Sequence, residues 1–425
     1  MKAKRISFLL DENRPAILFI LSIFFSHLFL SAEVFLQGTF LAGYAKYGCL
    51  LIWLCLLLPY FLRHPEQLAR TVLGELIFLS IYALNLAVFP EVLPYYKEYA
   101  MEMLAIAAIY IPAAVVIRRS ESLDGLLYRG RNLLVLTSAL MVLSFFAGFI
   151  PLHDEMNWGT RISLLGMLMV YLSLKKRLGW AYLLYAHAVL LLSLWGGRQT
   201  LIFLYTGYML VLLLNLKDRR HKGILLLLNM LLIISVVLFQ REIFGRLGDL
   251  LDRLNIESRA VASLRENSIF SFKNRMQGYA AAFQGIRENG IQFNGLLADR
   301  LILRQTNPKI VYTHNLFLEI LLDFGLLAGP IVLFSSGFWI TRRLILNQEN
   351  RAFLSLFGLY IFVRLFVSSS FLIDTTLVLY FGMLLCGTRW RYWWIEKKPA
   401  ELLGKLINAR RQNVTKRMKK EKECP

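Results

Sequence analysis

Apolar runs long enough to cross a membrane recur along most of this chain, and no other feature narrows its fold so far. A helix of about 20 residues covers a hydrocarbon core roughly 30 Å thick, and within that core only helices or closed barrels satisfy their own backbone polar groups. Strand-like alternation of apolar and polar residues is absent, so helices are expected. Windows of about 19 residues place spans near 15–33, 41–62, 70–89, 99–117, 132–151, 160–174, 178–195, 199–216, 223–240, 314–340, 352–369 and 371–388. Composition agrees, since 57% of the 425 residues are hydrophobic, 18% are charged and the mean hydropathy is +0.53. The expected fold is all-α, a polytopic membrane helical bundle of about twelve transmembrane helices with one large, partly helical extracytoplasmic loop. The first apolar run has the length of a full span and lacks a small-residue cleavage site, so it reads as the first helix rather than as a signal peptide.

Basic residues set the orientation. One alternate set of loops carries Lys2, Lys4, Arg5 and Arg14; Arg63 and Arg70; Arg118, Arg119, Arg129 and Arg131; Lys175, Lys176 and Arg177; Lys217, Arg219, Arg220 and Lys222; and Arg342, Arg343 and Arg351. The positive-inside rule makes that set cytoplasmic, with both termini inside. The opposite short loops hold little more than Lys97, Arg161 and Arg198. The chain then divides into 1–240 (spans one to nine), 241–313 (the extracytoplasmic loop), 314–388 (spans ten to twelve) and 389–425, a basic cytoplasmic tail. Much of the net charge of +20 is this topological bias. The tail after Gly387 holds twelve Lys and Arg against four Glu, behind a belt of Trp390, Tyr392, Trp393 and Trp394. That pattern reads as an anchor on anionic membrane lipids, and no nucleic-acid partner is expected. Cys49, Cys55 and Cys386 fall in or beside spans and Cys424 in the tail, which supports neither a disulfide framework nor a thiolate metal site.

Segment 241–312 is too long for an idle connector, and long loops with internal structure tend to carry function. Ile243, Leu247, Leu250, Leu251 and Leu254 recur at helical spacing among Arg246, Asp249, Asp252 and Arg253, as in a helix lying on a membrane surface. A second helix is expected from about Asn274 to Arg287, with Arg275 at its start and Gly290, Asn294 and Gly295 ending it. Eleven basic against seven acidic residues leave the loop able to receive an anionic ligand.

The loop ends in Tyr312-Thr313-His314-Asn315, followed by an apolar helix with Glu319, then Asp323-Phe324-Gly325-Leu326-Leu327-Ala328-Gly329-Pro330. At these residues the chain resembles the superfamily of O-antigen ligases and O-antigen and polysaccharide polymerases, whose shared pattern is a loop ending in His-Asn, an apolar helix, an acidic residue and a Gly-Leu-X-Gly-like turn. Gly196-Gly197-Arg198, at the outer start of a span, and Arg275 match the family's two loop arginines in position. Departures are the Gly-Gly before Arg198, Tyr279 where members carry Trp, and Asn294-Gly295-Leu296 in place of a Gly-X-Gly. The resemblance covers residues 190–345 by motif.

The resemblance implies a membrane glycosyltransferase of the GT-C type in the bacterial inner (cytoplasmic) membrane, active on the extracytoplasmic face. Its donor would be a glycan on undecaprenyl pyrophosphate, and its acceptor a sugar hydroxyl on another glycan or on lipid A-core, as in cell envelope and lipopolysaccharide biogenesis. Arg198 and Arg275 would stabilise the departing diphosphate, since a planar guanidinium offers bidentate hydrogen bonds to phosphate. No Asp-X-Asp or His cluster suggests a metal, and no cofactor is expected. Arg364, well inside a span, should pair with Asp374 or touch the donor diphosphate, because an arginine in lipid needs a partner. His314 is the candidate general base for the acceptor hydroxyl. Thr313 reads as an N-cap, which would put His314 in the first helical turn, where the helix dipole disfavours imidazolium. Asn315 and Glu319 would support it. A lipid-glycan transporter would share the spans but would not require the loop, and no internal repeat of the kind many transporters show is found. A non-catalytic membrane scaffold is the third class.

Overall fold

Helices account for all the regular structure among the described residues of the computed structural model, which are 14–23, 36, 44–118, 120, 122–148, 155–195, 198–216, 218–253, 265, 273–306, 313–367 and 369–386. Those of seven residues or more are, in chain order, α1 (Arg14–Ile23), α2 (Ala45–Arg63), α3 (Pro65–Val88), α4 (Ala100–Arg118), α5 (Leu123–Arg129), α6 (Arg131–Phe146), α7 (Glu155–Lys176) and α8 (Trp180–Leu192). They continue with α9 (Arg198–Asn215), α10 (Arg219–Leu238), α11 (Gln240–Arg253), α12 (Lys273–Asn289), α13 (Ala298–Thr306), α14 (Leu316–Leu346), α15 (Arg351–Val367) and α16 (Thr375–Leu384). The tail expected at 389–425 lies outside the described residues.

Local chemistry sets many boundaries. Pro65 opens α3, where its missing N–H costs no helical bond. Ser122 caps α5 by accepting the Gly125 N–H at 3.2 Å, and Asp218 caps α10 by accepting the Arg220 N–H at 2.9 Å. Three helices, α3, α4 and α14, are long and apolar enough to cross a membrane; α5 and α6, bent by 64°, make a fourth if they count as one broken span. Helix α7, expected only over 160–174, runs for 22 residues and is the buried axis of the bundle. The last expected span, 371–388, is helical only over Thr375–Leu384 among the described residues, because Asp374 caps it and the residues before it form a turn.

Side chains are distributed inside out relative to a water-soluble protein. Leu73, Leu76, Ile77 and Leu84 of α3, Leu227, Leu228 and Met230 of α10, and Leu327, Ile331, Phe334 and Phe338 of α14 are exposed, while Arg300, Glu319, Asp323, Arg364 and Asp374 are buried. Apolar faces this continuous suit a hydrocarbon solvent.

Loop contacts fall into two groups. At one end Asn350 Oδ1 accepts the Leu123 N–H at 2.8 Å, Asn347 donates to the Cys386 carbonyl at 2.8 Å, and Lys175 pairs with Asp124 at 2.7 Å. These are segments that carry the basic bias. At the other end Asn85 donates to the Leu296 carbonyl at 3.1 Å, Arg304 pairs with Glu98 at 2.8 Å, and Tyr82 donates to the Leu372 carbonyl at 3.2 Å.

Helix α14 is two arms. Gly325 has φ +71° and ψ 176°, and a Cβ there would run into the Gln292 carbonyl, so only glycine fits. The loop after α12 satisfies the backbone groups the break frees: Asn294 donates its N–H to the Asp323 carbonyl at 3.0 Å and its carboxamide to the Leu322 carbonyl at 2.8 Å, while Leu326 N–H reaches the Gly290 carbonyl at 3.1 Å. The arm after the break, 326–346, is about 31 Å long at 1.5 Å per residue, enough for a crossing by itself. The helix expected over 314–340 is therefore present but broken at Gly325. Its first arm belongs with the loop helices instead, where Leu318 and Leu322 share a small core with Ala281, Ala282, Ala298, Ile302 and Leu303.

Candidate functional site

A tight turn joins the loop to α14. Thr313 Oγ1 accepts the Asn315 N–H at 3.3 Å and donates to the Asn315 carbonyl at 3.1 Å. Asn315 Oδ1 in turn accepts the N–H groups of Phe317 at 3.0 Å and Leu318 at 3.3 Å. The N-cap is thus Asn315 and not Thr313, because the carboxamide reaches two free N–H groups at once. His314 consequently stands ahead of the helix instead of in its first turn. It is half-buried, with φ +52°, a left-handed backbone that costs a non-glycine residue about 1–2 kcal/mol.

One turn into α14, Glu319 is 1% exposed and holds together three elements. It accepts Arg300 Nη1 of α13 at 2.8 Å, the Ser370 hydroxyl, and the Phe371 N–H at 3.4 Å. Arg300 is fully buried, also pairs with Asp299, and lies 5.5 Å from the ring centre of Tyr99. Asp323, the acidic residue of the motif, works as a cap from outside its target helix: Oδ1 accepts the Asp299 N–H at 2.9 Å and Oδ2 the Leu297 N–H at 3.4 Å at the start of α13. Three carboxyl groups therefore surround one guanidinium. Burial pushes the Asp299 carboxyl above its ordinary range, with the Arg300 charge opposing.

Arg364 pairs with Asp374, Nε to Oδ2 at 2.9 Å, and its Nη1 lies 3.5 Å from the Tyr360 hydroxyl. The other Asp374 oxygen accepts the Thr376 N–H at 3.0 Å and the Thr376 hydroxyl. Of the two roles open to Arg364 in the sequence, the pairing is present. This network and the Glu319 network share one turn, for Ser370 bonds Glu319 while its carbonyl accepts the Asp374 N–H at 2.9 Å. Phe317 packs on Phe366 at 4.8 Å between ring centres, so the His314 turn adjoins the end of α15 that carries Arg364.

The side chains of Arg198 and Arg275 lie outside the described residues, but their backbones place both helices. Gln199 donates to Thr160 Oγ1, which ties the start of α9 to α7 beside Arg161. Helix α12 runs alongside the first arm of α14 in the same direction, since Ala282 shares a core with Leu318 and Gly290 bonds Leu326. Counting back from Ala282 carries Arg275 about two turns toward the His314 end. The sequence reading assigned no site role to Arg161, Arg300 or Asp299, and placed Asp323 in the motif without a role. Arg161, counted there as a loop charge, is 8% exposed inside the bundle. Among the described residues no group of three or more His, Cys, Asp and Glu is arranged to hold a metal ion.

No family model matches the chain, and no curated protein or solved structure matches it significantly.

Proposed function

We propose that this chain is a glycosyltransferase of the O-antigen ligase or polysaccharide polymerase type, embedded by about twelve helices in the bacterial inner membrane with its site on the extracytoplasmic face. The observation that carries the reading is the turn at His314. A left-handed histidine is held between two hydrogen-bonded neighbours at the mouth of α14, beside the helix end bearing Arg364 and on the side toward which Arg275 lies. Backbone strain kept at such a place favours a functional role for the side chain it presents.

In the proposed reaction the acceptor sugar hydroxyl attacks the anomeric carbon of the donor glycan. A C–O bond forms to the acceptor, the bond from the anomeric carbon to the diphosphate oxygen breaks, and the hydroxyl proton passes to an imidazole nitrogen of His314. Undecaprenyl diphosphate leaves with the bonding pair, and Arg198 and Arg275 oppose its charge. Asn315 fixes the turn from which His314 acts, and Glu319 fastens that turn to the Arg364 end through Ser370. Ligase and polymerase share this chemistry and differ in acceptor.

The test is reconstitution of the purified chain in liposomes with an undecaprenyl-diphosphate-linked oligosaccharide and, separately, a glycan or lipid A-core acceptor. Transfer to one acceptor, with an equal amount of undecaprenyl diphosphate released, is expected. An intact donor with both acceptors contradicts the reading.

A further inference from the structure

Arg161 brings into the bundle a positive charge that has no acidic partner among the described residues. It sits on α7, within the continuously buried stretch that begins at Trp158, and neither its Nε nor its Nη1 has a hydrogen-bond partner among the described residues. These two atoms lie on different edges of the guanidinium fork, so each edge has an open donor. The polar groups on adjoining elements are engaged with other partners. Thr160 takes the Gln199 carboxamide, and both oxygens of Asp374 are taken by Arg364 and Thr376. A buried guanidinium without a counter-charge is strongly disfavoured in protein and in lipid alike.

We infer that Arg161 binds a phosphate-class anion carried by a lipid, and that its buried charge is balanced when this ligand is in place. A phosphate or diphosphate matches the planar fork on either edge. Arg161 stands on α7, which packs against the apolar helices α8 and α9, so the anion enters most favourably on an apolar body. The donor-diphosphate identity rests on the glycosyl-transfer reading, whereas the open donors of Arg161 among the described residues stand without it.

The full-length protein is placed in phosphatidylcholine nanodiscs and titrated with farnesyl diphosphate, and in parallel assembled in nanodiscs containing phosphatidylglycerol, with thermal midpoint and tryptophan fluorescence as readouts. Wild-type protein should be stabilised by at least one of these lipids. A response to farnesyl diphosphate assigns a diphosphate ligand, and a response to phosphatidylglycerol alone assigns a headgroup. Arg161→Gln should bind the responding lipid at least tenfold more weakly, with Arg161→Lys intermediate. Without ligand its midpoint should match or exceed that of the wild type, because an unmatched buried charge has been removed. The inference is overturned if neither lipid acts on the wild type, or if Arg161→Gln binds the responding lipid as the wild type does, whether or not its unliganded midpoint falls. A wild-type protein that transfers glycan but responds to neither lipid would remove this site and spare the transfer reading; a response to lipid without transfer would do the reverse.

Discussion

Arg300 of α13 donates to Glu319 of α14 across 2.8 Å with both side chains shut away from solvent, and this contact joins the large loop to the helix that begins at His314. Helices α12 and α13 of the loop are thereby packed into the same framework as the first arm of α14. Because Glu319 also holds Ser370, a disturbance at Arg300 reaches the turn that positions Asp374 and Arg364.

Removing Arg300 leaves a cluster of buried carboxyl groups without its guanidinium, and removing Glu319 takes from Arg300 one of its two ion pairs. Glu319→Gln or Arg300→Met alone should cost about 3–5 kcal/mol, while the double variant should cost clearly less than the sum. Thermal unfolding of the purified proteins in detergent, followed by size-exclusion fluorescence, measures this coupling. Additive losses would show that the contact contributes nothing beyond its separate members.

Gly325→Ala should be poorly tolerated. Its φ of +71° and the Gln292 carbonyl both exclude a Cβ, and backbone strain alone is worth about 1–3 kcal/mol. Gly337→Ala, on the second arm of the same helix with nothing within 4 Å of the added carbon, should keep wild-type stability. Equal melting of the two variants would argue that α14 is unbroken in the membrane.

Asn315 makes a separate test of the turn. Asn315→Ala should lose about 1 kcal/mol as a missing N-cap and reduce glycan transfer further than that loss explains, whereas Asn315→Asp, which keeps the cap oxygen, should retain most of both. Activity falling equally in the two variants would assign the carboxamide a direct contact with substrate.

Topology follows from the two groups of loop contacts and their charge. A single cysteine introduced within 273–306 of a cysteine-free variant should react with a membrane-impermeant thiol reagent in intact cells, and one at 218–222 should not. Reversed labelling would place the His314 end in the cytoplasm and exclude a periplasmic or cell-surface reaction.

Much of the helical layout was legible in hydropathy, since the expected spans over 41–62, 70–89, 99–117 and 352–369 overlap α2, α3, α4 and α15 over most of their length. Arg364 and Asp374 were legible too, because a charge inside an apolar run needs a partner and only one lay close in topology. The break at Gly325 was not, as a window of about 19 residues averages across a single residue. Helix α13 escaped notice because it is nine residues long and opens on Asp299 and Arg300, whose burial depends on Glu319 and Asp323 from a distant segment. Arg161 looked like a loop charge since the apolar window began at 160, although α7 starts at Glu155. The N-cap at Asn315 was misplaced by two residues, because Thr and Asn both satisfy the sequence rule and only the turn geometry separates them.

The most direct test of the account is single-turnover glycan transfer by purified His314→Ala with an undecaprenyl-diphosphate-linked donor, measured beside donor binding. Transfer should fall by about 100-fold or more, the scale of a lost general base, with donor affinity held near that of the wild type. Near wild-type turnover would contradict the role of His314, and loss of donor binding would move it from the acceptor hydroxyl to the diphosphate.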